Sequence, residues 1–277
     1  ALPLPAAPAS SPVPPLALPG GLTLPAGRTA IMGILNVTPD SVSDGGRYTD
    51  VAAALSHARE MVAAGADLID VGGESTRPNS TRISADEEWA RICTIVESLA
   101  ADGVIVSVDT LHASTAREAA RAGAAIINDV SGGRWDPQMN AAVAQSGCAY
   151  VVQHYRALPG MPGEHFDYGD DLVGTLIERV GSQVQDAIDA GVTADKIVVD
   201  PGLGFSLTGD QCWQILRELP RFAQVGYPVL VGASRKRFVK ALEGDVDANS
   251  ADIAAYCAAA GAWAVRVHDV AATVAAI

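Results

Sequence analysis

At 277 residues, with 49% hydrophobic and 18% charged residues, the chain can bury a sizeable core, which excludes wholesale disorder. A formal net charge of −13 argues against nucleic acid or a membrane surface as partner, so an anion would bind only where the few Lys and Arg residues converge. Aromatics make up only 5%, leaving the core to Ala, Val, Leu and Ile, and the four scattered cysteines (Cys93, Cys148, Cys212, Cys257) read as buried reduced thiols of a cytoplasmic enzyme.

Residues 1–28 are apolar but proline-rich, with no basic segment ahead of a continuous apolar run. They make a poor signal peptide and are expected to be a disordered leader to a single domain over 29–277. From Thr29 a unit repeats: a short β-branched run, a polar cluster, then an Ala-rich amphipathic stretch. The apolar runs 30–35, 68–71, 104–108, 125–127, 150–152, 197–199, 229–231 and 264–267 predict strands buried on both faces. Helices are predicted between them at 51–64, 86–101, 114–122, 136–145, 171–190, 210–224 and 250–260, with a short last one over 269–277. Gly65, Gly123, Gly191 and Gly261 are expected at left-handed C-caps, and Ser84, Asp136 and Ser250 at N-caps. Eight alternating units predict an α/β fold, a (β/α)8 TIM barrel, in preference to a doubly wound open sheet.

Polar clusters follow the strand runs: Asn36 through Gly46, Gly72 through Pro78, Asp109-Thr110, Asn128-Asp129, Asp200 through Gly204, Ser234 through Arg237, and Arg266 with His268. In a barrel they all meet at the rim built from the βα loops. Arg77, Arg235, Lys236, Arg237, Arg266 and His268 would then gather positive charge on an acidic protein, a site for an anion, unless Arg235 and Arg237 pair with acidic neighbours. Asp109, Asn128 and Asp200 suit the donor-rich edge of an aminopyrimidine, because a carboxylate accepts two parallel N–H bonds.

Seven segments in order, GILNVTPDSVSDGG, DVGGESTRP, VDT, NDVSGG, DPGLGF, GASRKRF and RVHD, resemble the dihydropteroate synthase family over nearly the whole chain from Thr29. The resemblance implies condensation of 6-hydroxymethyl-7,8-dihydropterin diphosphate with 4-aminobenzoate, releasing pyrophosphate, in folate biosynthesis. It places the pterin on Asp109, Asn128, Asp200 and Lys236, and the diphosphate among Arg77, Arg266, His268 and Asn36, with Mg²⁺ near Asn36 and Arg237 as a further substrate-binding residue. It puts Asp40, Asp44, Thr76, Arg77 and Pro78 on two loops that complete the aminobenzoate site, assigns catalysis to Asp40, Asp44, Lys236 and Arg266, and implies a homodimer.

Four features depart from the family pattern. Val42 stands where a Phe is usual, which predicts weaker aminobenzoate binding and altered sulfonamide sensitivity. Ser206-Leu207-Thr208 lacks a Lys often found before Thr, the last helix is short, and Gln153 replaces a more usual apolar residue before His154. Two other readings are a methyltetrahydrofolate-type pterin barrel, which would have no diphosphate to hold, and a synthase paralogue that binds without turnover.

Overall fold

A computed structural model describes residues 2–9, 12–37 and 47–277, with side chains left undescribed at 47–49. The eight predicted runs form eight strands: β1 (Ala30–Asn36), β2 (Leu68–Gly72), β3 (Val106–Asp109), β4 (Ile126–Asp129), β5 (Ala149–Gln153), β6 (Ile197–Asp200), β7 (Leu230–Val231) and β8 (Ala264–Val267). All pair in parallel in the order β6-β5-β4-β3-β2-β1-β8-β7, and one bridge, Val199 to Val229, joins the two ends. The result is a nearly closed (β/α)8 barrel.

Between the strands lie α1 (Arg47–Ala63), α2 (Ala85–Ala101), α3 (Ala113–Arg121), α4 (Met139–Ser146), α5 (Leu172–Asp189), α6 (Gly209–Arg217), α7 (Leu219–Phe222), α8 (Arg237–Lys240) and α9 (Val246–Ala259), and α10 (Val270–Ala276) follows β8. The four C-cap glycines have the positive φ expected of them, between 90° and 115°. Ser84 caps α2 by accepting from the Glu87 N–H. The other two caps fall elsewhere. Asp136 accepts from the Ala113 and Gln138 N–H groups, so it caps α3 rather than α4. Ser250 lies inside α9, which Asp245 caps instead. The stretch predicted as one helix over 210–224 breaks at Pro220, which has no N–H to give and crowds the preceding turn.

Alternate strand residues face opposite sides of the wall. Met32, Leu68, Ile126, Val151, Val198 and Leu230 join one apolar cluster inside the barrel. Their neighbours Ile31, Ile69, Ile127, Val152, Val199 and Val231 belong to the larger cluster beneath the helices. Leu16, Leu18 and Leu24 pack against the inner cluster, and the Ala17 N–H donates to the Asp195 carbonyl at 2.7 Å. These residues therefore lie across the N-terminal end of the barrel, leaving its other end for a site. Cys148, Cys212 and Cys257 are buried and unpaired, whereas Cys93 is only half-buried, a departure from the expected burial. Among the described residues, no helix is long and apolar enough to cross a membrane.

Candidate active site

Two residues beyond the apolar interior, the same strands turn polar. Asp70 follows Leu68, Asn128 follows Ile126, Gln153 follows Val151, Asp200 follows Val198 and Arg266 follows Ala264, all with the interior parity. Asp109 joins them from β3, paired in register with Gly72 and Asn128.

The layer is wired internally. Asp70 is fully buried, and its Oδ2 accepts from Arg266 Nε at 2.6 Å and from Asn128 Nδ2 at 3.0 Å. Asn128 gives one of its two N–H groups to Asp70, which orients the amide and leaves its Oδ1 to accept from a ligand. Arg266 also donates to Asp109 Oδ2 at 3.1 Å, so one guanidinium serves two carboxylates. Burial, then the adjacent Asp70 charge, pushes the Asp109 carboxyl up, while Arg266 pulls it down. Asp70 was not among the residues singled out from sequence. Its signal was a carboxylate inside the apolar run Leu68–Gly72, since a buried charge requires a partner.

Asp200 is almost fully buried at the end of β6 and accepts from the Gly202 N–H at 2.7 Å. Gly202 has φ 73°, and a Cβ there would lie 2.8 Å from the His154 carbonyl oxygen, so the tight approach of this loop requires glycine. Burial raises the Asp200 carboxyl, against Lys236 and the Gly202 N–H. Lys236, just before α8, reaches the Leu203 carbonyl with Nζ and lies 5.2 Å from the centre of the Phe205 ring. Burial lowers its ammonium to about 8, with Asp200 opposing the shift.

Toward the mouth the expected cations divide. Arg235 turns away with a left-handed φ of 55° and holds Asp247 through Nε at 2.6 Å and Nη2 at 2.9 Å. It is paired with an acidic neighbour and leaves the anion set. His268 is not a cation at neutral pH: burial, then Arg235, Arg266 and Arg77, lower it to about 4. Ser234 Oγ accepts from the His268 main-chain N–H at 3.2 Å and lies 2.9 Å from the ring Nδ1, which holds the imidazole in place. His268 thus presents a neutral imidazole. Arg77 and Arg237 are exposed, and Asn36 is exposed at the end of β1.

The loop after β2 carries half-buried Thr76 and exposed Arg77 and Pro78. Glu74 anchors it, with one oxygen 3.1 Å from the Ile83 N–H and the other 3.1 Å from His112 Nε2. Glu88, fully buried, accepts from the Thr110 hydroxyl at 2.8 Å next to Asp109. Asp40, Asp44 and Val42 lie outside the described residues.

Among the described residues no group of three His, Cys, Asp or Glu can hold a metal by itself. Asn36 supplies one neutral oxygen, a donor that Mg²⁺ accepts alongside phosphate oxygens and water. This donor set fits a metal that arrives with a diphosphate, not one held by the protein alone.

Comparison with known proteins places the whole barrel in one family. The pterin-binding enzyme family matches residues 32–268. A dihydropteroate synthase of Mycobacterium leprae is 46% identical over 255 residues, 88% of this chain and 89% of that protein. One from Streptococcus pyogenes is 42% identical over 251 residues, 88% of this chain and 91% of that protein. Among solved structures, the Xanthomonas albilineans dihydropteroate synthase with 4-aminobenzoic acid has a TM-score of 0.82 at 40% identity, covering 90% of this chain and 91% of its own. The Yersinia pestis enzyme in complex with a sulfonamide drug has a TM-score of 0.85 at 39% identity, covering 93% of this chain and 94% of its own.

Proposed function

This chain belongs to the dihydropteroate synthase family of pterin-binding enzymes, and we propose that it condenses 6-hydroxymethyl-7,8-dihydropterin diphosphate with 4-aminobenzoate, giving 7,8-dihydropteroate and pyrophosphate. The observation that carries the reading is the polar layer of Asp109, Asn128 and Asp200 set directly on the apolar interior, with Lys236 beside it. Such a slot matches a flat ring with donors along one edge.

In this reading Asp200 accepts two N–H bonds of the aminopyrimidine, and the Asn128 Oδ1, fixed by Asp70, accepts a third. Lys236 donates to the ring's oxygen or nitrogen acceptors. Arg266 stays bound to Asp70 and Asp109 and lends its remaining N–H groups toward the departing diphosphate. Arg77, Arg237 and the neutral His268 ring complete that contact. Mg²⁺ at Asn36 would supply further charge compensation for the leaving group.

4-Aminobenzoate is an aromatic amine with a free lone pair at neutral pH, so no strong general base is needed. The demanding event is loss of pyrophosphate, which an electron-rich dihydropterin assists by stabilising positive charge at its exocyclic carbon. The substitution is therefore dissociative, and strong nucleophile bonding in leaving-group isotope effects would contradict it. The loop bearing Thr76, Arg77 and Pro78 borders the aminobenzoate and helps exclude water from the reacting carbon.

Three further parts of the proposal rest on less. A homodimer is supported by exposed Val62, Val274 and Ile277, with Val274 packed close to Gly65 after α1. A cytoplasmic location accords with four free cysteines. The division into leader 1–28 and barrel 29–277 accords with β1 starting at Ala30.

Pyrophosphate release tests the reaction. It should require both pterin diphosphate and 4-aminobenzoate. Release from the pterin alone at the same rate, or none with both present, would overturn the reading.

A further inference from the structure

One polar residue of the barrel interior has no place in the scheme above. Gln153 ends β5, between the strands that carry Asn128 and Asp200, and is in register with Asp200. It is 4% exposed. Its main-chain carbonyl accepts from Gln183 Nε2 at 2.7 Å, which fixes the backbone. Its own Nε2, by contrast, is buried without a hydrogen-bond partner among the described residues. A Cβ on Gly202 would lie 3.4 Å from that Nε2, so the amide borders the same loop that Asp200 organises.

An amide buried in this state costs stability, and an apolar side chain of similar size would carry no such penalty. The cost is sustained where a ligand supplies the missing partner. The carboxylate of Asp200 matches two donors side by side. A carboxamide matches a different pattern, a donor next to an acceptor. An aminopyrimidine presents that pattern at its amino group and the adjacent unprotonated ring nitrogen.

Resting on the pterin reading of this slot, we propose that Gln153 is a specificity-determining residue that binds the aminopyrimidine end of the substrate, its Nε2 donating to the ring nitrogen beside the amino group. Asp200 and Gln153 then read the ring together, one its paired donors and the other its acceptor.

The test is a titration of native protein and Gln153→Met with 6-hydroxymethylpterin and with an analogue carrying C–H in place of that ring nitrogen, alongside thermal melting and steady-state kinetics. Q153M should bind the pterin about tenfold more weakly, with the 4-aminobenzoate KM within about twofold, because a donor is lost from one ligand only. It should bind the analogue as the native protein does, and melt no lower than native without ligand. Gln153→Leu serves as a second variant if Q153M does not fold. Pterin affinity within about twofold of native, or equal losses for both ligands, would overturn the assignment. Native protein that binds no pterin would overturn the reading beneath it as well, and the native arm reports that separately.

Discussion

Inside the barrel an apolar floor and a polar layer lie two residues apart on the same strands. Ile126 and Asn128 share β4, Val198 and Asp200 share β6, and Ala264 and Arg266 share β8. The floor gains free energy by leaving water and needs no specific partner. The polar layer gives up that gain, and Asp70, Asn128, Asp109 and Arg266 recover part of it by bonding one another. The Nε2 of Gln153 is buried there without a partner among the described residues. Stability therefore concentrates in the first layer and recognition in the second, and substitutions should separate the two.

The largest separation is expected at Asp200. Asp200→Asn keeps the shape but turns one acceptor into a donor facing the pterin's N–H groups, and should lower kcat/KM by about 100- to 1,000-fold. Its melting temperature should stay near native, and a protein that unfolds instead would blur the two layers. On the floor, Ile126→Ala should cost about 2–5 kcal/mol in denaturant unfolding, while the folded fraction keeps its pterin affinity.

Proton binding separates the layers more gently. Lys236 titrates near 8, below its ordinary 10.5, so pterin binding should weaken as pH rises through about 8. The unliganded fold should respond with the opposite sign. Between about 8 and 10.5 the unfolded chain holds the proton that the folded Lys236 has released, so stability contributed by this group rises with pH. Titrations and melts across that range would show whether the trends diverge. The smallest effect is expected at position 42: Val42→Phe should lower the 4-aminobenzoate KM by about two- to tenfold through added ring packing. Pterin affinity should not change with it.

Much of this division was legible in the sequence. The apolar runs located every strand, and the polar residues ending them located Asp109, Asn128, Asp200, Lys236 and Arg266. Less legible was whatever depended on partners distant in sequence. Asp70 and Gln153 belong to the layer through strand parity, which becomes informative once the register is known. Arg235 reads as part of a cationic rim until Asp247, twelve residues on, takes its guanidinium. His268 reads as a cation until burial and three nearby arginines remove its proton. The helical pattern over 210–224 suggests continuity, but Pro220 divides it into α6 and α7.

The most direct test of the two-layer account is calorimetric titration of 6-hydroxymethylpterin into native protein, Asp200→Asn and Ile126→Val. Asp200→Asn should bind at least about 30-fold more weakly while Ile126→Val matches native, because only the first disturbs a group that faces the ring. Equal affinity in native and Asp200→Asn, or equal losses in both variants, would contradict the claim that the polar layer reads the pterin.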